Sequence, residues 1–225
     1  MKMTYVLIII CIAVFIFIAA HSPYEQSRLL DRFGFSGDNF FSGNYWCIVT
    51  SIFVHGSVAH LVLNMIAFFF FGRALEREIS QVEFLIIFLL GGIVGNLVSL
   101  LFYPTDELLI GASGAIFAIM GTVMIIKPFE FIFYPYLIPV PLALVGALYA
   151  AYTIIAFLFG GDSNIAYSAH LGGLAVGIIF GMRKGGMRGL MIVGILFIIL
   201  FMTPILWKIL GALDYSRILG TLFVR

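Results

Sequence analysis

The 225-residue chain carries 12 Lys and Arg against 11 Asp and Glu, a net charge of +1, with 10% charged and 63% hydrophobic residues. Soluble domains run at about 25% and about 45–50%, and a soluble chain of this size cannot hide so much apolar surface. A mean hydropathy of +1.16 agrees, so the sequence reads as an integral membrane protein, without a basic nucleic-acid footprint or the composition of an acidic disordered chain.

Seven stretches are free of Asp, Glu, Lys and Arg: 3–20, 46–72, 84–105, 108–126, 131–161, 163–182 and 189–207. Crossing a bilayer takes roughly 20 mostly apolar residues. The stretches therefore predict an all-α, polytopic helix bundle. Its core, 1–183, would hold six spans at about 4–20, 50–72, 84–103, 113–127, 137–159 and 165–182. A seventh helix at about 189–209 would follow in the segment 184–225, where Pro204 would kink it or end it early. The first run has Lys2 ahead of it and Ala19-Ala20 near its end, as a secretory signal would. It is longer than a signal's apolar region, so a retained anchor helix is expected. Cys11, inside this run, reads as a packing residue; with Cys47 it makes neither a disulfide framework nor a metal motif. The loop 21–45 holds Phe33, Phe35, Phe40, Phe41 and Tyr45, and Trp46 follows. Such rings suit the headgroup region, and the helical spacing of Glu25, Arg28 and Arg32 predicts a short helix lying in the interface.

Counting Lys and Arg in the loops orients the bundle. With the N-terminus in the cytoplasm, the inner segments carry Lys2, Arg73, Arg77, Lys127, Arg183, Lys184 and Arg188, while the outer loops of the core carry Arg28 and Arg32. The second, fourth and sixth helices then start at the outer face.

Strongly polar side chains inside a span are expensive and mark functional sites. The second helix carries His55, His60 and Asn64; the fourth opens with Gly111-Ala112-Ser113-Gly114; the sixth holds His170. All fall in the first half of an even-numbered helix, at one depth. A serine becomes a nucleophile when a base takes its proton, and histidine is the usual base near neutral pH. The glycines beside Ser113 leave room for a substrate backbone. A helix start supplies free N–H groups and a positive dipole end, the parts of an oxyanion hole. His60 and Asn64, four residues apart, share a helix face and can add donors.

Each piece alone also has a packing reading. Gly114, Ala118 and Gly121, or Gly173 and Gly177, fit small-residue helix contacts, and Asn64 or His170 fits interhelical hydrogen bonding. HExxH and paired membrane aspartates are absent, and the four histidines lack a carboxylate or thiolate at ligand spacing. No metal and no cofactor is expected. No internal repeat points to a transporter.

Taken together, His55-Gly56-Ser57-Val58-Ala59-His60 with Asn64, then Gly72 and Glu76, then Gly111-Ala112-Ser113-Gly114, then Ala169-His170 with Gly173 and Gly177 resemble the rhomboid family of intramembrane serine proteases. The likeness covers roughly residues 4–183. It implies Ser113 as nucleophile and His170 as its base, with no third carboxylate. The backbone N–H of Ser113, with His60 and Asn64, would hold the oxyanion. His55, Gly111, Gly114, Phe117, Gly173 and Gly177 would have supporting or packing roles, the last two bringing the sixth helix against the fourth. The fifth helix and the loop near 160–165 would resemble the family's gate and cap. The implied partners are transmembrane protein substrates and membrane lipid. Two departures stand out: Cys47 follows Trp46 where the family often has arginine, and Phe117 stands where many members have tyrosine. The ring at 117 would still stack on His170, while the missing hydroxyl leaves part of its orientation to another group such as Tyr167. A catalytically inactive relative that binds membrane clients is the alternative reading.

Overall fold

The computed structural model describes residues 2–134, 138–162 and 165–212. The first apolar run forms α1, Met3–Ala19. Pro23–Phe33 then forms α2, whose start is a capping box: Ser22 accepts from the Glu25 N–H, and Glu25 reaches back to the Ser22 N–H. Those hydrogen bonds from Ser22 hold the Glu25 carboxyl below its ordinary range. Short helices α3, Gly37–Phe41, and α4, Cys47–Thr50, complete the first loop and lead into a 3-10 turn at Ser51–Phe53.

The second span, expected from residue 50, begins as regular helix at Val58. Val54 is extended and Ser57 is an extended N-cap accepting from the His60 N–H, so α5 is Val58–Leu75. Next come α6, Gln81–Ser99, and α7, Ser113–Ile126. Residues 131–134 and 138–141 form two paired strands instead of membrane helix. The first, β1, Phe131–Tyr134, pairs antiparallel with β2, Ile138–Pro141, from Phe131 opposite Pro141 to Tyr134 opposite Ile138. Pro139 and Pro141 lack the N–H a helix interior needs, and α8 starts only after them, at Leu142–Phe159. The fold remains a polytopic helix bundle with this strand pair added.

The last element, α9, runs Tyr167–Ala212, with one non-helical residue, Gly186, at φ 66° and ψ −172°. Unbroken, 46 residues would reach about 69 Å, more than twice the hydrocarbon thickness. Beyond the break Val193 is buried in the core cluster, and Leu190, Leu196, Phe197 and Leu200 pack against it. A stripe at that spacing lays the second arm of α9 along the bundle. Met187, Met191, Ile195 and Ile198 face outward.

Among the described residues, four helices are long and apolar enough to cross a membrane, counting Tyr167–Met202 as one; Met3–Ala19 and Ser113–Ile126 are shorter apolar helices. The protein is a multi-pass membrane protein. At its centre stands α7, with every residue from Gly114 to Ile125 buried, as an all-round apolar helix must be. Two glycines let α9 lie against it. A Cβ at Gly173 would collide with the carbonyl oxygen of Gly114, and one at Gly177 with that of Ala118.

The ends opposite Ser113 are tied by ion pairs. Arg77 meets Glu130 at 2.8 Å, Lys127 meets Glu78 at 3.1 Å, and Lys184 meets Glu83 at 2.7 Å. Thr4 donates through Oγ1 to Glu76 at 3.0 Å, fixing the start of α1 there as well.

Candidate active site

Ser113 is the first residue of α7, and the chain reaches it through Gly111 at φ 116° and Ala112 as N-cap. The Gly111 N–H donates to the Ser51 carbonyl at 2.9 Å. Ser51 Oγ in turn accepts from Asn96 Nδ2 at 2.9 Å, and that amide also donates to the Ile48 carbonyl at 3.0 Å. A buried asparagine on α6 thus clamps the 3-10 turn, and the turn clamps the backbone just before the serine. Asn96 was missed in the sequence, although a strongly polar residue inside a charge-free stretch is the signal that singled out Asn64.

His170 enters from the first turn of α9. Its Nε2 lies 2.7 Å from Ser113 Oγ, a hydrogen bond of ordinary O–H length. If the serine donates, Nε2 is the acceptor and the neutral ring carries its proton on Nδ1. Nδ1 is buried and has no protein partner among the described residues, so orientation comes from packing. The Phe117 ring stacks on the imidazole at 4.5 Å and 13°, and Tyr149 backs Phe117 at 4.9 Å. Tyr167 does not supply the missing hydroxyl. Its ring stands edge-on to His170 at 6.2 Å, while its oxygen is 3.3 Å from the Tyr152 hydroxyl and accepts from the Asp162 N–H at 3.1 Å. That contact joins α8 to the start of α9.

The remaining polar residues form the opposite wall. His60 presses its Nε2 against Gly111: a Cβ there would stand 2.6 Å from it. Asn64 donates from Nδ2 to the His60 carbonyl at 2.9 Å, so one of its two amide hydrogens is engaged within α5. His55 is buried. Its Nδ1 lies 3.3 Å from the Phe53 carbonyl and its Nε2 3.5 Å from the Ala112 N–H, so a proton on Nδ1 leaves Nε2 to receive the loop. His55 and His60 meet edge to face at 5.1 Å. The structure thus brings together Ser113, His170, His60, His55, Gly111 and Phe117, with Asn64 one turn along α5 from His60. Gly114, Gly173 and Gly177 sit at the α7–α9 contact. Ser113 and His60 are partly exposed, whereas His170 is buried. Among the described residues no group of three or more His, Cys, Asp or Glu is placed to hold a metal ion.

Gly111→Ala is expected to cost about 1–3 kcal/mol in backbone strain and to displace His60, because both the positive φ and the approach of the imidazole demand the missing side chain. Thermal unfolding in detergent measures the first effect. A fall in turnover larger than the loss of folded protein measures the second.

A family model described as Rhomboid domain matches residues 42–186, from the end of the first loop through the break in α9. The chain belongs to the rhomboid family. Among curated rhomboid proteins it is 33% identical over 184 residues to RHOMBOID-like protein 12, mitochondrial, of Arabidopsis thaliana, covering 73% of this chain and 54% of that one. It is 31% identical over 192 residues to rhomboid protease GluP of Bacillus subtilis (strain 168), covering 83% of this chain and 36% of that protein. Over 102 residues it is 34% identical to Rhomboid-like protease 3 of Toxoplasma gondii, covering 45% and 38%. The chain thus spans about half the length of the first of these relatives and about a third of the other two. Rhomboids are as a family intramembrane serine proteases, and they include members named rhomboid-like.

Proposed function

We propose that this rhomboid hydrolyses peptide bonds of membrane proteins near the outer end of a substrate transmembrane helix, with Ser113 as nucleophile and His170 as general base. The observation that carries this reading is the 2.7 Å contact between Ser113 Oγ and His170 Nε2, made by residues 57 positions apart at the starts of two helices. Oγ attacks the scissile carbonyl carbon as its proton passes to Nε2. The oxyanion that forms is met by the Ser113 N–H, which has no intrahelical acceptor at the first position of α7, and by His60 and Asn64. His170 then returns the proton to the leaving amine, and water attacks the acyl-enzyme by the same route in reverse.

The depth of the site follows from helix length. With 14 residues, α7 spans about 21 Å against about 30 Å of hydrocarbon, so Ser113 lies about 9 Å below one surface when the charged end sits at the other. The paired end holds Arg73, Arg77, Lys127 and Lys184, which supports placing it in the cytoplasm and the serine toward the outside. A substrate helix must unwind to present a peptide bond there, so helix-weak sequences are the preferred targets. The second arm of α9 is read as a seventh span outside the six-helix core.

Labelling with a fluorophosphonate tests the assignment. Wild-type protein in mild detergent is expected to be labelled at Ser113, and His170→Ala to lose the label while remaining folded. Folded wild type that takes no label would instead identify a client-binding rhomboid without proteolysis.

A further inference from the structure

A cavity of about 470 Å³ opens in the first loop, lined by Arg28, Asp31 and Arg32 of α2, Asn39 of α3, Asn44 and Trp46. Its charged residues precede the stretch 42–186 shared with the family, and the proteolytic reading makes no use of them. Arg28 and Arg32 are one helical turn apart on α2, so both guanidinium groups serve the same face. Neither is in an ion pair among the described residues, whose salt bridges use Arg73, Arg77, Lys127 and Lys184. Their contacts are aromatic: Arg28 lies 5.9 Å over the Tyr24 ring and Arg32 5.8 Å over Phe33. Asp31 lines the same space without pairing to either.

The walls are held in place. Asn39 donates from Nδ2 to the carbonyls of Asp31 at 2.9 Å and Gly34 at 3.1 Å, and its Oδ1 accepts from Asn44 Nδ2 at 2.6 Å. Trp46 donates from Nε1 to the Arg32 carbonyl at 3.3 Å, which fixes its ring at the rim. Trp46 lines the cavity, and Tyr24, Phe41 and Tyr45 are exposed in the same part of the chain; exposed aromatic rings suit headgroup depth.

We propose that this cavity binds the headgroup of a singly anionic phospholipid through its phosphodiester. Two guanidinium groups present forked donors suited to phosphate oxygens. Glu25, a turn before Arg28, is taken up by the Ser22 cap and does not line the cavity; among the lining residues two positive charges less the one of Asp31 leave +1, which one phosphodiester neutralises. Asp31 then accepts from hydroxyls beyond the phosphate, as a glycerol headgroup supplies. Trp46 at the cavity wall lets the acyl chains stay in the bilayer while the phosphate enters from its edge.

The test uses the full chain in detergent with short-chain phosphatidylglycerol, short-chain phosphatidylcholine, or inorganic phosphate, read as retained lipid by native mass spectrometry and as the shift in thermal midpoint. Phosphatidylglycerol is expected to be retained and to raise the midpoint more than phosphatidylcholine. The double variant Arg28→Gln, Arg32→Gln is expected to weaken its binding at least about tenfold, while Arg77→Gln at the far end leaves it unchanged. Equal retention of the two lipids by wild type would overturn the proposal whatever the variant does. So would undiminished binding by a folded double variant, and inorganic phosphate acting as well as the lipid would assign the cavity to a free anion.

Discussion

Under the proposed dyad, Ser113→Ala, His170→Ala and the double variant are expected to reduce cleavage of a tagged membrane substrate to one common residual level, at least about a thousandfold below wild type, because members of a catalytic pair fail as a unit. The reason lies in the contact between them. Without His170 the hydroxyl has no acceptor for its proton, and without Ser113 the imidazole has nothing to activate. His170 Nδ1 has no protein partner among the described residues, so no third group is placed to rescue either loss. Band intensities of cleaved and uncleaved substrate, with protein levels matched, measure this. Losses that multiply in the double variant would mean the two residues act independently, and the dyad would be wrong.

Gly173→Ala is expected to damage packing and turnover together. One added methyl group would overlap the Gly114 carbonyl oxygen, and backbone cannot rotate away as a side chain can. The helices must separate, at about 1–3 kcal/mol for overpacking of this kind. His170 lies one turn before Gly173 on α9, and Gly114 is next to Ser113 on α7. Any separation at this point therefore opens the hydrogen bond, and a displacement near 1 Å can lower turnover about a hundredfold. The expected result is a folded protein with a depressed thermal midpoint and a larger loss in turnover than in yield. Wild-type turnover in Gly173→Ala would show that the close approach does not set the site's geometry.

Much of this arrangement is legible in the sequence because lipid leaves few options. Charge-free stretches become helices when no water is present to satisfy a backbone, and polar residues inside them, Ser113, His170, His60 and Asn64, had to be explained. What escapes the sequence is governed by local backbone chemistry or long-range contact. The late start of α5 depends on the extended residues Val54 and Ser57, which an apolar count passes over. The strand pair 131–134 and 138–141 lies hidden inside a charge-free stretch, though its prolines are visible. Asn96 was visible too, but its partners Ser51 and Ile48 lie 45 and 48 residues away. Tyr167 illustrates the opposite error: proximity to His170 was anticipated, yet its hydroxyl is committed to Tyr152 and the Asp162 N–H.

The ion pairs described at one end of the bundle give the molecule a mechanical polarity. Each is partly exposed and contributes little to stability alone, but two of them join the turn after α5 to the turn after α7, and the third joins the start of α6 to α9 just before its break. Near the serine, α8 and α9 are joined instead by the Tyr152–Tyr167 hydroxyl contact. A load applied between α8 and α9 would therefore spread the rods like tweezers, hinged at the charged end, with the widest travel beside Ser113.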